Sequence, residues 1–151
     1  MTKADLPAVG ALAGELVRLH HGFDARRFFL EPGVEDGYRW FFDRQLGRPG
    51  VVLLVAELEG QVAGYVYGSV EARDWARLLD RHGAIHDVFV ASTFRRRGVA
   101  RALVAAGLRA LEAAGAPQVV LSSAVQNREA QALFRSMGFR ETMVELTRTA
   151  G

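Results

Sequence analysis

VASTFRRRGVARALVAA, residues 90–106, places Arg95, Arg96 and Arg97 immediately before Gly98 and the start of a helical stripe. A helix N-terminus leaves backbone N–H groups unpaired and carries about half a positive charge. Adding three guanidinium groups there is unfavourable unless an anion joins them. A strand, a tight glycine turn and a helix form such an anion cradle. Gly98 lets a ligand approach the backbone with no Cβ in the way, and the arginines add charge-assisted contacts to phosphate oxygens. The competing reading is a solvated run of charge. Two nucleotide motifs fail on spacing. A Walker loop needs Lys-Ser/Thr after its second glycine, where Val99 and Ala100 stand, and a Rossmann turn needs three glycines.

Outward from this loop, AIHDVFVA before it reads as a strand. After Gly98, the residues Val99, Leu103, Val104, Leu108 and Leu111 line one helical face, which Gly115 and Pro117 stop. QVVLSSAV reads as the next strand. NREAQALFRSMG reads as a helix with Asn127 as N-cap, and FRETMVELTR as a final strand. Upstream, VVLLVAE and QVAGYVYGSVEA form a hairpin about Glu59-Gly60, followed by a turn or short helix in RDWARLLDRHG. Two amphipathic helices come first. Leu6, Val9, Leu12, Leu16 and Leu19 mark one, with Asp5 as N-cap, and Val34, Tyr38, Phe41, Phe42 and Leu46 mark the other. The order helix, helix, strand, strand, strand, helix, strand, helix, strand predicts a mixed α/β sheet centred on a strand–helix–strand unit.

The 151 residues, half of them hydrophobic, suit a single domain over residues 1–151. No cysteine is present, which removes disulfides and thiolate metal sites. No apolar run approaches the roughly 20 residues of a membrane span, so a cytoplasmic protein is expected. The formal charge of +2 is too small to make the whole surface bind nucleic acid. Lys3 is the sole lysine, so any basic function is local to arginines.

Arg95-x-x-Gly98-x-Ala100, after a strand and opening a helix, resembles the pyrophosphate-binding signature of the GNAT superfamily of N-acetyltransferases. About 30 residues on, Asn127, Ala130, Leu133, the aromatic Phe134 and Gly138-Phe139 resemble that family's second signature. The stretch IHDVFVASTFRRRGVA is similar to members that acetylate small amines such as polyamines. The resemblance implies a mixed, mostly antiparallel sheet and acetyl-CoA as co-substrate, with no metal. It implies transfer of acetyl to a primary amine of a small molecule or peptide by direct attack in a ternary complex. It also implies a possible homodimer, while the low net charge and the lack of a long apolar run predict no nucleic-acid or membrane partner. Backbone groups of Val88 and Val90 would pair with the pantetheine amides. The loop of Arg95, Arg96, Arg97, Gly98, Val99, Ala100 and Arg101 would hold the pyrophosphate. Asn127 would reach the pantetheine, cap its helix, or both. Phe134 stands at a cofactor-contacting position where many members carry a tyrosine, the usual acid for the leaving thiolate. That departure motivates an alternative, an acyl-CoA-binding module with impaired catalysis. The family pattern opens with a strand before the first helix. Only MTKA precedes Asp5, so either that strand is absent or the sequence begins after it.

An alkyl amine is neutral in roughly one molecule per thousand near pH 7.4, and deprotonation costs about 4 kcal/mol. The transfer therefore needs a base and a donor to the developing oxyanion, for which the resemblance offers a backbone N–H near Val88. His86 and Asp87 stand just before the cofactor contacts. His86 is the candidate base, since imidazole titrates near neutrality, and Asp87 would orient it or bind the cationic substrate. Strand alternation predicts that one of the two faces the cleft. Glu31, Glu35 and Asp36, beside Tyr38, Trp40 and nearby phenylalanines, are candidates to greet a cationic acceptor. Their alternative is ordinary helix-start charge over a packed aromatic face.

Overall fold

The computed structural model describes residues 1–148. A 3-10 turn over Lys3–Asp5 leads into α1 (Leu6–Phe23). Then come α2 (Val34–Gln45), β1 (Val51–Leu58), β2 (Gln61–Glu71), β3 (His82–Val90), a second 3-10 turn (Ser92–Phe94), α3 (Val99–Ala113), β4 (Val119–Leu121) and α4 (Arg128–Ser136). The four strands form one sheet in the order β1-β2-β3-β4. The first three are antiparallel, and β4 runs parallel to β3. This is the mixed, mostly antiparallel α/β sheet the sequence predicts. The β1–β2 hairpin turns at Glu59 and Gly60, with φ of 53° and 72°, the left-handed pair a two-residue hairpin favours.

The sheet is covered on both faces. One core lies under α3 and contains Val66, Ile85, Val90, Leu103, Val104 and Leu111. The other lies under α1 and α2 and contains Val9, Leu12, Phe42, Tyr65 and Phe89. The 3.6-residue stripes of α1 and α3 thus each meet one face of a period-2 sheet. Asp5 sits at the N-cap of α1, yet its carboxylate accepts from the Thr2 amide at 2.6 Å instead of capping the helix. Residues 1–5 contain no strand; the Met1 ammonium donates to the Leu53 carbonyl at 3.3 Å.

Three expectations are corrected. The segment before β3 is a turn over residues 75–78, one of the two expected forms, closed by a bridge between Asp74 and Leu79, but β3 begins at His82, two residues early. The QVVLSSAV strand pairs only over Val119–Leu121, against Gly83–Ile85. Beyond that point β3 carries a bulge at His86, which bends the strand where the two strands part. FRETMVELTR forms no strand: residues 140–148 are exposed and join no ladder.

Candidate active site

The site begins where β3 and β4 separate. Ala91 N donates to Ala63 O at 2.9 Å. The register pairs Tyr65 with Phe89, Gly64 with Val90 and Val66 with Val88. In an antiparallel ladder the bonded and non-bonded pairs alternate. The Val88 and Val90 pairs are therefore non-bonded, and their N–H and C=O groups point away from β2, into the gap that β4 leaves. One of these groups is already engaged: Val90 O accepts from Arg95 Nε at 3.2 Å.

Val99 opens α3 at the mouth of the same gap. Gly98 has φ 79° and Arg96 φ 64°. Left-handed residues in such a loop turn successive amides inward. The Arg95 amide meets Ser92 O at 3.4 Å and the Ala102 amide meets Gly98 O at 3.1 Å. Between them, the amides of Arg96, Arg97, Gly98, Val99, Ala100 and Arg101 make no hydrogen bond among the described residues. A Cβ at Gly98 would meet nothing within 4 Å. The loop is a cradle of free N–H groups open to solvent, as a diphosphate requires. Arg95, Arg96 and Arg101 line it. Arg97 does not: it turns to Glu59, at 2.9 Å. Arg101 also donates to Ser136 Oγ at 2.7 Å, which ties α3 to α4 across the cleft.

The far wall is α4. Asn127 Oδ1 accepts from the Ala130 amide at 3.2 Å, so Asn127 caps the helix while also lining the cleft. Phe134 lines it too, its ring edge-on to Phe139 at 5.9 Å between centroids. The whole cleft measures about 1030 Å³ and extends from this loop to α1 and α2, at the upper end of the range for small-molecule and cofactor sites.

At its other end stand His86 and Asp87, both lining the cleft. Strict alternation is broken here. Ile85 belongs to the α3 core and Phe89 to the α1–α2 core, which is impossible four residues apart in a regular strand. The register shifts between Tyr67 and Gly68, leaving His86 unpaired as the extra residue. That bulge turns both His86 and Asp87 toward α1 and α2. The His86 ring lies 4.8 Å from that of Tyr67. Its Nε2 is 2.7 Å from Ser69 Oγ and 3.5 Å from Glu71 Oε1, and Ser69 Oγ donates to Glu71.

Asp87 accepts from Tyr65 Oη at 3.2 Å. Burial holds its carboxyl above the ordinary aspartate range, against the opposing pull of Tyr65, His86 and His20. Burial, with the Asp87 charge second, pushes the Tyr38 phenol up to about 12 and holds Tyr65 well above the ordinary phenol range. His20, Phe23, Phe28 and Tyr38 complete this end. It offers aromatic walls, a half-buried carboxyl and an imidazole with a hydroxyl and a carboxylate behind it.

Glu31, Glu35 and Asp36 are not among the cleft walls. Glu35 meets Arg18 at 2.5 Å and Asp36 pairs with Arg39. Glu35 thus ties α2 to α1, Asp36 pairs within α2, and Glu31 is exposed on the loop between the two helices. Sequence reading missed Ser69, Glu71 and Tyr65. Alternation in QVAGYVYGSVEA marks them as strand residues, but which face they take depends on the cross-strand register. Among the described residues no helix is long and apolar enough to cross a membrane, and no group of three His, Asp or Glu side chains is placed to hold a metal ion.

A family model described as acetyltransferase (GNAT) family matches residues 17–139. An N-alpha-acetyltransferase of Sulfurisphaera tokodaii is 30% identical over 113 residues, covering 70% of this chain and 66% of that protein. One of Sulfolobus acidocaldarius is 34% identical over 110 residues, covering 68% and 64%. The chain thus spans just under two thirds of the length of these curated relatives. Among solved structures, an aminoglycoside N-acetyltransferase in complex with CoA superposes with a TM-score of 0.76 at 20% identity, covering 99% of this chain and 91% of that one; at that identity the likeness shows the fold.

Proposed function

The chain belongs to the acetyltransferase (GNAT) family, and from that premise we propose that it transfers an acetyl group from acetyl-CoA to a primary amine of a small molecule or peptide. The observation that carries this reading is the run of free amides from Arg96 to Arg101, opening into the cleft that ends at His86 and Asp87. Those amides, with Arg95, Arg96 and Arg101, would hold the pyrophosphate. The outward backbone groups of Val88 and Val90 would hold the pantetheine as an added strand does, the Val90 carbonyl being freed when Arg95 swings to the phosphates. Acetyl-CoA would supply the acetyl group, activated as a thioester, and coenzyme A would leave as the thiolate.

In a ternary complex the amine nitrogen bonds to the acetyl carbon as the carbon–sulfur bond breaks. His86 takes the amine proton, and Ser69 and Glu71 stabilise the imidazolium it becomes. The Val88 N–H faces the gap and donates to the developing oxyanion. Asp87, when ionised, meets the incoming ammonium. The thiolate leaves without a side-chain acid at Phe134, which is tolerable for a thiol with a pKa near 8.5. The curated relatives named as N-alpha-acetyltransferases favour a peptide N-terminus among the acceptors. The narrow supply of carboxylates in the cleft favours an acceptor with a single ammonium over a polyamine.

Phe134 also supports a second reading, a module that binds acyl-CoA without turnover. Thiol release from acetyl-CoA with a panel of peptides, amino acids, polyamines and aminoglycosides separates the two. Amine-dependent release is expected. Tight CoA binding with no release on any amine would establish the module instead, and absence of CoA binding would overturn both.

A further inference from the structure

The segment between β2 and β3, residues 72–81, carries Arg73, Arg77 and Arg81. Two of these are engaged by the protein's own acceptors. Arg73 clamps Asp80 with hydrogen bonds of 3.0 and 2.9 Å, and Arg81 donates to the carbonyls of Gly115 and Ala114. The Arg77 guanidinium makes no hydrogen bond or ion pair among the described residues, although its backbone amide is fixed by Asp74 Oδ1 at 3.0 Å. Asp74 and Leu79 close the turn with backbone bonds of 2.8 and 3.0 Å. A turn tied in this way presents Arg77 to a second cavity, of about 180 Å³. Ala84 and Val120, partners across β3 and β4, line that cavity. So do His86 and Ser122, which also line the main cleft, so the two spaces adjoin there. The exposed Ser122 hydroxyl has no hydrogen-bond partner among the described residues either.

We propose that Arg77 and Ser122 form a carboxylate subsite for the acceptor, so that the protein selects amines bearing a carboxylate within a few bonds of the nitrogen. An α-amino acid has that chemistry, and so has a peptide N-terminus followed by an acidic residue. The proposal rests on the acetyl-transfer reading, since it sets the amine at His86. The distribution of charge supports it. Asp87 lines the main cleft and not the smaller cavity, whereas Arg77 lines the smaller cavity and not the main cleft. The spaces on the two sides of His86 therefore carry opposite charge. An acceptor with both an ammonium and a carboxylate meets a complement for each, while a simple amine leaves Arg77 unused. A planar guanidinium holds a carboxylate through two parallel N–H···O bonds, and the Ser122 hydroxyl can donate a third. Glu71 accepts from Ser69 and lines neither cavity, so it leaves the subsite to the incoming carboxylate.

The test compares L-leucine with L-leucinamide, and the C-terminally amidated dipeptide Ala-Asp with Ala-Asn, as acceptors for the full chain. The first pair isolates an α-carboxylate and the second a side-chain carboxylate, so the pair that responds tells a free amino acid from an acidic peptide N-terminus. In one pair, the acid-to-amide ratio of kcat/KM is expected to fall by about tenfold or more in Arg77→Gln, the scale of one charge-assisted contact. Arg77→Lys is expected to keep part of the preference. Taking the change between variants cancels the difference in amine basicity between acid and amide. A ratio unmoved by Arg77→Gln in both pairs overturns the subsite and leaves acetyl transfer standing. If none of these acceptors turns over, calorimetry of the two acids against the CoA-bound protein reads the subsite directly. Binding of an acid that Arg77→Gln abolishes supports it, and no binding of either acid overturns it.

Discussion

His86 Nε2 lies 2.7 Å from Ser69 Oγ, and that hydroxyl in turn donates to Glu71. The chain of groups runs from the cleft toward the end of β2, so under the proposed mechanism a proton taken by His86 would have a route outward and its positive charge a partner. His86→Ala is expected to lower kcat by roughly 100-fold, the low end of general-base effects. It should also alter the shape of the pH–rate profile, leaving KM for acetyl-CoA unchanged. Ser69→Ala should cost less and shift that profile. An unaltered pH profile in His86→Ala would remove His86 as the base.

Arg96 and Arg97 are neighbours with different duties. Arg96 lines the cleft, while Arg97 is paired with Glu59 at 2.9 Å. Losing a charge-assisted phosphate contact costs about 1.5–3 kcal/mol. Calorimetry should therefore show Arg96→Ala weakening CoA by at least about tenfold and Arg97→Ala changing it little. Equal effects would mean the loop rearranges around the ligand.

Asn127 caps α4 through Ala130. Asn127→Ala is expected to lower stability by about 1 kcal/mol, and Asn127→Ser to restore most of it. If Asn127 also touches the pantetheine, KM for acetyl-CoA rises in both variants, because serine caps but does not reach as far. Denaturant titration and steady-state kinetics on the pair separate the roles.

Gly64 lies where β2 crosses β3 under α3. A Cβ there would sit 2.6 Å from Phe89 O and 3.1 Å from a Leu103 methyl. Backbone cannot retreat as a flexible side chain does, so Gly64→Ala is expected to destabilise by about 3 kcal/mol, the upper end of overpacking costs. Thermal unfolding checks this, and a change within 1 °C would refute it.

Tyr38 loses its proton in the unfolded chain near pH 10 but in the folded one only at about 12, because burial and then Asp87 disfavour the phenolate. Between those values the folded state binds more protons, so stability falls as pH rises. Tyr38→Phe should flatten that decline relative to the parent protein, leaving the parts due to Tyr65 and Tyr67, which burial also raises. Denaturant melts at pH 9, 10 and 11 would show it.

The sequence by itself determined the features that depend on near neighbours along the chain. The glycine turn at Gly98 with its helix start is one. The Asn127 cap, the Glu59-Gly60 hairpin and the apolar stripes of α1 and α3 are others. Each is set by groups within about four residues of one another, and their spacing is written in the chain. The tertiary structure decided which way side chains face. The bulge at His86 brings both His86 and Asp87 into the cleft because β3 must match the register of β2 and still serve two cores. Arg97 turns to Glu59, and Glu35 to Arg18, because partners 38 and 17 residues away lie within reach only after folding. The last predicted strand pairs with no other among the described residues: a strand is completed by its neighbour, and pattern alone cannot supply one.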